Sequence, residues 1–186
     1  MAFRNLIIVL TGLALLSGCA GYRPPPDARH TALIAPYRLD SGDTLRVIVF
    51  GQADLTNTYA VDQSGAISMP LIGIVPVRGR TVAEVEGAVA AKLRAGYLRQ
   101  PDVSVEVDRY RPFFAMGEVG AAGQYSYVTG MTVQSAVAIA CGFTPRADKS
   151  SVKVTRNANG YVETLTLNLS DPVRPGDTLY VRERLF

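Results

Sequence analysis

The sequence predicts an α+β protein built from two successive units, each a mixed sheet packed on a helix. Three observations carry this. Short β-branched segments alternate apolar and polar residues at period two. Two other segments repeat apolar residues at helical spacing behind a capping threonine. A turn element occurs twice, as Ser41-Gly42-Asp43-Thr44-Leu45 and as Pro175-Gly176-Asp177-Thr178-Leu179, each time at the entry to a strand. Two copies punctuate two units; a solenoid would need at least three.

Leu45-Arg46-Val47-Ile48-Val49-Phe50 is β-branched and aromatic, bounded by Ser41-Gly42-Asp43 before and Gly51 after, and reads as the first strand. Ser64-Gly65 supplies the next turn. Ile67 to Leu71 is a short strand interrupted by Pro70, which has no N–H for a ladder and belongs at an edge or an end. Thr81-Val82-Ala83-Glu84 has the capping-box pattern, and Val82, Val85, Val89 and Leu93 then share one helix face until Gly96 stops the run. Val103 to Val107 alternates as a half-buried strand should. After Arg111-Pro112 the second unit begins with a strand-like run from Phe113 to Val119. Thr132 caps a helix carrying Val133, Ala136, Val137 and Ala140, with Gly142 at its stop. Val152 to Arg156 and Leu165 to Leu169 alternate on either side of Asn159-Gly160, a hairpin signal with a loop expected to exceed two residues. The final strand is Thr178 to Arg182.

Ahead of these units stands a targeting segment. Arg4, the apolar runs Leu6 to Leu10 and Leu13 to Leu16, and then Ser17-Gly18-Cys19 have the charge, length and small-residue cut site of a secretory signal, too short for a spanning helix. Leu16-Ser17-Gly18-Cys19 resembles the lipobox of bacterial lipoproteins, which implies a lipid thioether on Cys19. An ordinary signal cut elsewhere and a buried N-terminal helix are the alternatives. The two or three acyl chains such a modification implies would anchor the chain stably, where one would not. Ala20, in place of Asp, points by the same resemblance to the outer membrane. Residues 1–18 are thus the expected signal peptide, and 19–36, with Pro24-Pro25-Pro26, a tether whose stretch from Ala20 to Ala35 reaches up to roughly 50 Å when extended at ~3.1 Å per residue.

Composition excludes several functions. Without Arg4 the chain has one fewer than its 19 Lys and Arg against 16 Asp and Glu, a net charge of about +2 with no basic block for nucleic acid. His30, the sole histidine, lies in the tether, so no Ser-His-Asp triad forms around it. No His/Cys cluster suggests a metal and no G-x-x-x-x-G-K loop suggests a nucleotide. No cofactor is expected. Asp40 and Asp43 are the one candidate carboxylate pair for glycoside hydrolysis, but Asp beside Gly between strands ordinarily accepts backbone N–H groups in a turn. The structural turn residues are therefore Gly42, Asp43, Gly176 and Asp177. With Cys19 lipidated, Cys141 has no disulfide partner and reads as a small buried apolar residue.

Taken in order, the motifs from Tyr37 to Arg184 resemble the outer-membrane polysaccharide export family. Tyr37-Arg38-Leu39, Ser41-Gly42-Asp43-Thr44-Leu45, Val61-Asp62 with Gly65, Met69-Pro70-Leu71-Ile72-Gly73, and Val77 with Gly79-Arg80-Thr81 are similar to its export domain, expected over residues 37–109. Met116-Gly117-Glu118-Val119, Gly123-Gln124-Tyr125, Gly130-Met131-Thr132-Val133, Ala140-Cys141-Gly142 and Pro175-Gly176-Asp177 are similar to a soluble-ligand-binding β-grasp (SLBB) domain, expected over 110–186. Ser41-Gly42 and Ala122-Gly123 stand where Pro-Gly is usual, and Cys141 where Gly is usual. The resemblance implies a non-enzymatic, lipid-anchored outer-membrane component facing the periplasm. It implies a homo-oligomeric ring that conducts exopolysaccharide or capsular polysaccharide, partnered by an inner-membrane polysaccharide co-polymerase. Only Arg182-Glu183-Arg184-Leu185-Phe186 follow Val181, so a separate outer-membrane β-barrel is the expected source of the pore. A monomeric β-grasp lipoprotein binding a glycan or small ligand is the alternative. Aromatic faces suit pyranose rings and guanidinium groups suit acidic sugars, which makes Tyr97, Tyr110, Tyr125, Tyr127, Arg109, Arg111 and Arg146 the candidate sugar contacts.

Overall fold

The computed structural model describes residues 36–158 and 161–184; the signal, Cys19, His30, the tether up to residue 35 and Asn159-Gly160 lie outside the described residues. The first unit opens with β1 (Thr44–Val49), followed by a short 3-10 turn (Ala53–Leu55) and β2 (Asn57–Ala60). A hairpin of β3 (Ala66–Met69) and β4 (Gly73–Pro76) leads into helix α1 (Val82–Arg94), and β5 (Val103–Arg109) completes the unit. β1 is the centre of an antiparallel three-stranded sheet, β2-β1-β5, with the β3-β4 hairpin as a separate ribbon. The core joins Leu45, Val47 and Val49 of β1 to Ile67, Val75 and Val105, with Val85, Val89 and Leu93 of α1 against them. The expected capping box is present: Thr81 accepts from the Glu84 N–H, and Glu84 accepts from the Thr81 N–H at 2.7 Å. Pro70 ends β3, and the next residue, Leu71, takes φ +67°, so the strand expected to reach Leu71 stops at Met69.

The second unit contains β6 (Phe113–Gly117), β7 (Gly123–Tyr125), α2 (Val133–Ile139), β8 (Val152–Ala158), β9 (Tyr161–Leu167) and β10 (Thr178–Val181). They form one mixed five-stranded sheet, β7-β6-β10-β8-β9, in which β10 runs parallel to β6 and antiparallel to β8. Val133, Ala136 and Val137 of α2 pack on Phe113, Val154, Leu179 and Val181, the inward residues of three neighbouring strands. The α+β class is thus as the periodicities indicate.

Further expectations change. β6 ends at Gly117, because Val119 turns aside to bridge Phe143. Ala158 pairs with Tyr161, so the β8–β9 connection is two residues rather than a longer loop, and β9 runs Tyr161–Leu167 rather than to Leu169. Cys141 is exposed, not buried: it follows the end of α2 at φ +63°, a left-handed conformation that turns the chain out of the helix. The short strands β2, β4 and β7 escape sequence periodicity because their mostly exposed residues leave little alternation to read.

Candidate functional site

The repeated turn builds the same object twice. Gly42 and Gly176 take φ +91° and +84°, a region that lacks a steric penalty only for glycine. The aspartate that follows is fully buried in both copies and accepts the N–H three residues back: Asp40 N–H to Asp43 Oδ2 at 2.9 Å, Arg174 N–H to Asp177 Oδ2 at 2.8 Å. The next two residues start β1 and β10, and Leu45 and Leu179 enter the two cores. A buried carboxylate needs a cation, and each turn has an arginine. Arg156, projecting from β8, grips Asp177 through two bonds, Nε at 2.8 Å and Nη2 at 2.7 Å. Arg111, in the connection between β5 and β6, serves Asp43.

Arg111 also joins the units. Its N–H donates to Asp43 Oδ1 at 3.0 Å and its Nη1 lies 3.4 Å from Asp43 Oδ2, while its Nε donates to the Pro175 carbonyl at 3.0 Å. One side chain therefore touches both turns. The Gly176 N–H donates to the Pro112 carbonyl at 3.1 Å, and the Phe114 N–H to the Asp177 carbonyl at 2.9 Å, closing the second turn against the connection. Tyr37 donates its hydroxyl to Asp43 Oδ2 at 2.7 Å. Burial first, and then this bond to a carboxylate, push the Tyr37 phenol far above the usual tyrosine range. Tyr37, Tyr110 and Tyr127 form an edge-on aromatic chain across the junction, with centroids 4.9 and 5.5 Å apart. Asp40 Oδ1 accepts from Arg78 Nε at 3.0 Å and from the Ser41 N–H at 2.8 Å. Both Asp40 and Asp43 accept backbone N–H groups in the turn and face arginines.

The residues read as sugar contacts are distributed widely. Arg111, Tyr110 and Tyr127 meet in this junction. Tyr125 stacks on Phe113 at 5.7 Å and gives its hydroxyl to the Ala121 carbonyl at 2.6 Å. Arg146 is exposed and pairs with Glu183, which raises its already high pKa. Arg109 is exposed at the end of β5, and Tyr97 is exposed in the connection after α1. Among the described residues no group of His, Cys, Asp and Glu side chains suits a metal ion. Sequence reasoning missed Tyr37, Arg156 and Arg78 as members of the turn networks. The only available signal was that a repeated buried aspartate requires a cation, and sequence does not say which.

Two family models match successive stretches of the chain. The family described as polysaccharide biosynthesis/export protein matches residues 32–108, and the SLBB domain matches residues 116–165. The chain is 32% identical over 77% of its length to the exopolysaccharide production protein ExoF of Rhizobium meliloti, covering 36% of that protein. It is 27% identical over 80% of its length to the EPS I polysaccharide export outer membrane protein EpsA of Ralstonia solanacearum, covering 46% of that protein. The chain thus spans less than half the length of either relative. With an export domain, an SLBB domain after it, and these relatives along most of its length, the chain belongs to the outer-membrane polysaccharide export family.

Proposed function

We propose that this chain is a lipid-anchored periplasmic component of an exopolysaccharide export machine, held at the outer membrane through Cys19 and assembled as a homo-oligomeric conduit. The supporting observation is the export domain and SLBB domain fastened together by Arg111, as a building block for a larger wall. The names of the relatives, one an exopolysaccharide production protein and the other an EPS I polysaccharide export outer membrane protein, support a role in polymer export. The chain acts by shape rather than by bond chemistry: its conspicuous buried carboxylates, Asp43 and Asp177, are consumed by turns and arginines. Capsular polymer is a second possible cargo class, an inner-membrane co-polymerase supplies polymer, and a separate β-barrel supplies the pore. A conduit needs weak polar walls, because tight stepwise sites would slow transit; the exposed Arg109 suits that role better than Arg111, Tyr125 and the Glu183-paired Arg146.

The test is native mass of the detergent-extracted protein, alone and with its neighbouring export proteins. A multiple of the mass of the processed chain supports the ring. A monomer in both preparations overturns it and favours the monomeric glycan-binding alternative.

A further inference from the structure

The SLBB sheet carries α2 on one face, and its other face is open. Side chains alternate across a strand, so the neighbours of the buried Phe113, Ala115, Leu179 and Val181 point to the open face. They include Phe114, Met116 and Tyr180, at 40%, 44% and 47% exposure although β6 and β10 lie inside the sheet. An open sheet face is ordinarily polar, and adjoining large apolar side chains on inner strands mark a surface that meets something. The register arranges this face in two rows. Gln124, Phe114, Thr178, Thr155 and Thr164 are successive cross-strand partners over all five strands. Two residues along each strand, Met116, Tyr180, Lys153 and Thr166 do the same over four. At a strand spacing of about 4.8 Å the longer row extends about 19 Å, room for an oligosaccharide rather than a single sugar. Neither row holds an acid: Glu163 of β9 falls in register with the buried Arg156, on the opposite face. The side chains of Gln124, Lys153, Thr155, Thr164, Thr166 and Thr178 form no hydrogen bond or ion pair among the described residues.

We propose that the open face of the SLBB sheet is a carbohydrate platform, on which a segment of exopolysaccharide lies across the strands. Phe114 and Tyr180 stack on pyranose faces, and the threonine hydroxyls and the Gln124 amide exchange hydrogen bonds with sugar hydroxyls. The chemistry selects this occupant. A pyranose offers apolar C–H faces and a rim of hydroxyls that both donate and accept, which matches aromatic rings beside side chains that also do both. A subunit interface would concentrate apolar side chains at its centre, whereas here they stand on β6 and β10 and give way to hydroxyls over β8 and β9. Lys153 is the one charge in the two rows, so the face accepts neutral sugars and repels no acidic one. The platform is flat, and its binding is weak, as transit requires. Thr178, Thr155 and Thr164 repeat one group on adjacent strands, so a polymer shifted by one strand finds nearly the same partners. The inference deepens the export reading, on which it rests for the polymer, and places sugar contacts on residues that sequence did not single out.

The protein contains no tryptophan, so Phe114→Trp and Tyr180→Trp keep an aromatic ring on the face and serve as single reporters in the full chain. Ile139→Trp, exposed on α2 at the other side of the sheet, is the control. The probe is a set of oligosaccharides released by partial acid hydrolysis of the exopolysaccharide that the producing cells secrete. A saturable fluorescence change in both face reporters, half-complete at roughly millimolar saccharide, and none in Ile139→Trp is expected. Adding Tyr180→Ala to Phe114→Trp should raise the half-saturating concentration about fivefold. Thr155→Val with Thr164→Val, which keeps the β-branched shape and removes two hydroxyls, should raise it by about the same factor. Silent face reporters, together with loss of polymer secretion when the chain is deleted from cells, overturn the platform and leave the export reading intact. A saturable response with undiminished secretion in that deletion supports the platform and removes the export reading. An equal response at Ile139→Trp overturns the platform. A blue shift that grows with protein concentration in the absence of saccharide, with no response to saccharide, overturns it in favour of a second copy.

Discussion

Gly176→Val tests the junction at its tightest point. Two separable costs are expected. The residue sits at φ +84°, where an L side chain pays about 1–2 kcal/mol, more for a β-branched one. A Cβ there would also lie 2.6 Å from Arg111 Nε and 3.2 Å from its Cδ, so the guanidinium must move and its bond to the Pro175 carbonyl is lost. A hydrogen bond from a charged donor contributes about 1.5–3 kcal/mol, part of which a flexible arginine recovers in water. Their sum is about 2–4 kcal/mol, above the φ cost alone. The assay is denaturant unfolding of four proteins: wild type, Gly176→Val, Arg111→Ala and the double variant. In the Arg111→Ala background Gly176→Val should cost only the φ component, giving a coupling of about 1–2 kcal/mol between sites in contact. Equal costs in both backgrounds would refute the clash. A stability unchanged by Gly176→Val would refute the turn itself.

Asp177→Ala should destabilise by about 3–5 kcal/mol, because it strands the buried Arg156, whereas replacing both partners with apolar residues should cost much less; thermal unfolding of the three variants decides this. Tyr37, with its phenol raised above the usual range, remains protonated after an unfolded tyrosine has begun to ionise, so its contribution is full below about pH 10 and declines as pH rises further. Tyr37→Phe should flatten that alkaline limb of stability, and an unchanged limb contradicts the assignment. Cys19→Ser should abolish fatty-acid labelling and leave unprocessed precursor, and equal label in both proteins removes the anchor.

Sequence reading recovered what local chemistry dictates. The α1 capping box, the stripe of Val85, Val89 and Leu93 and the alternation in β5 and β8 are short-range patterns, and the folded chain keeps them. The echo of Gly42-Asp43 in Gly176-Asp177 was also legible, since a turn is a local object. What joins the echoes was not. Arg111 lies 68 residues from Asp43 and 64 from Pro175 in sequence, and its composition suits a sugar as well as a carboxylate. Cys141 was misplaced for a related reason: its type favours burial, but its position just after α2 sets the direction of its side chain. Strand ends shifted by a residue or two wherever a bulge, a proline or a bridge outside the sheet competes with pairing, as at Pro70 and Val119.

The position of β10 has a kinetic consequence. This last strand in the sequence order lies in the middle of the sheet, between β6 and β8, and the hairpins β6-β7 and β8-β9 touch through it. Neither hairpin alone buries Phe113 or Val154 on both sides, so the domain gains little by folding before residue 178 is available. Closing β6 onto β10 also spans a long loop, whose entropy slows the search. Topology alone thus gives the SLBB unit a built-in delay: its collapse waits for the strand that leaves the ribosome last, so the earlier hairpins stay loosely held until β10 inserts between them.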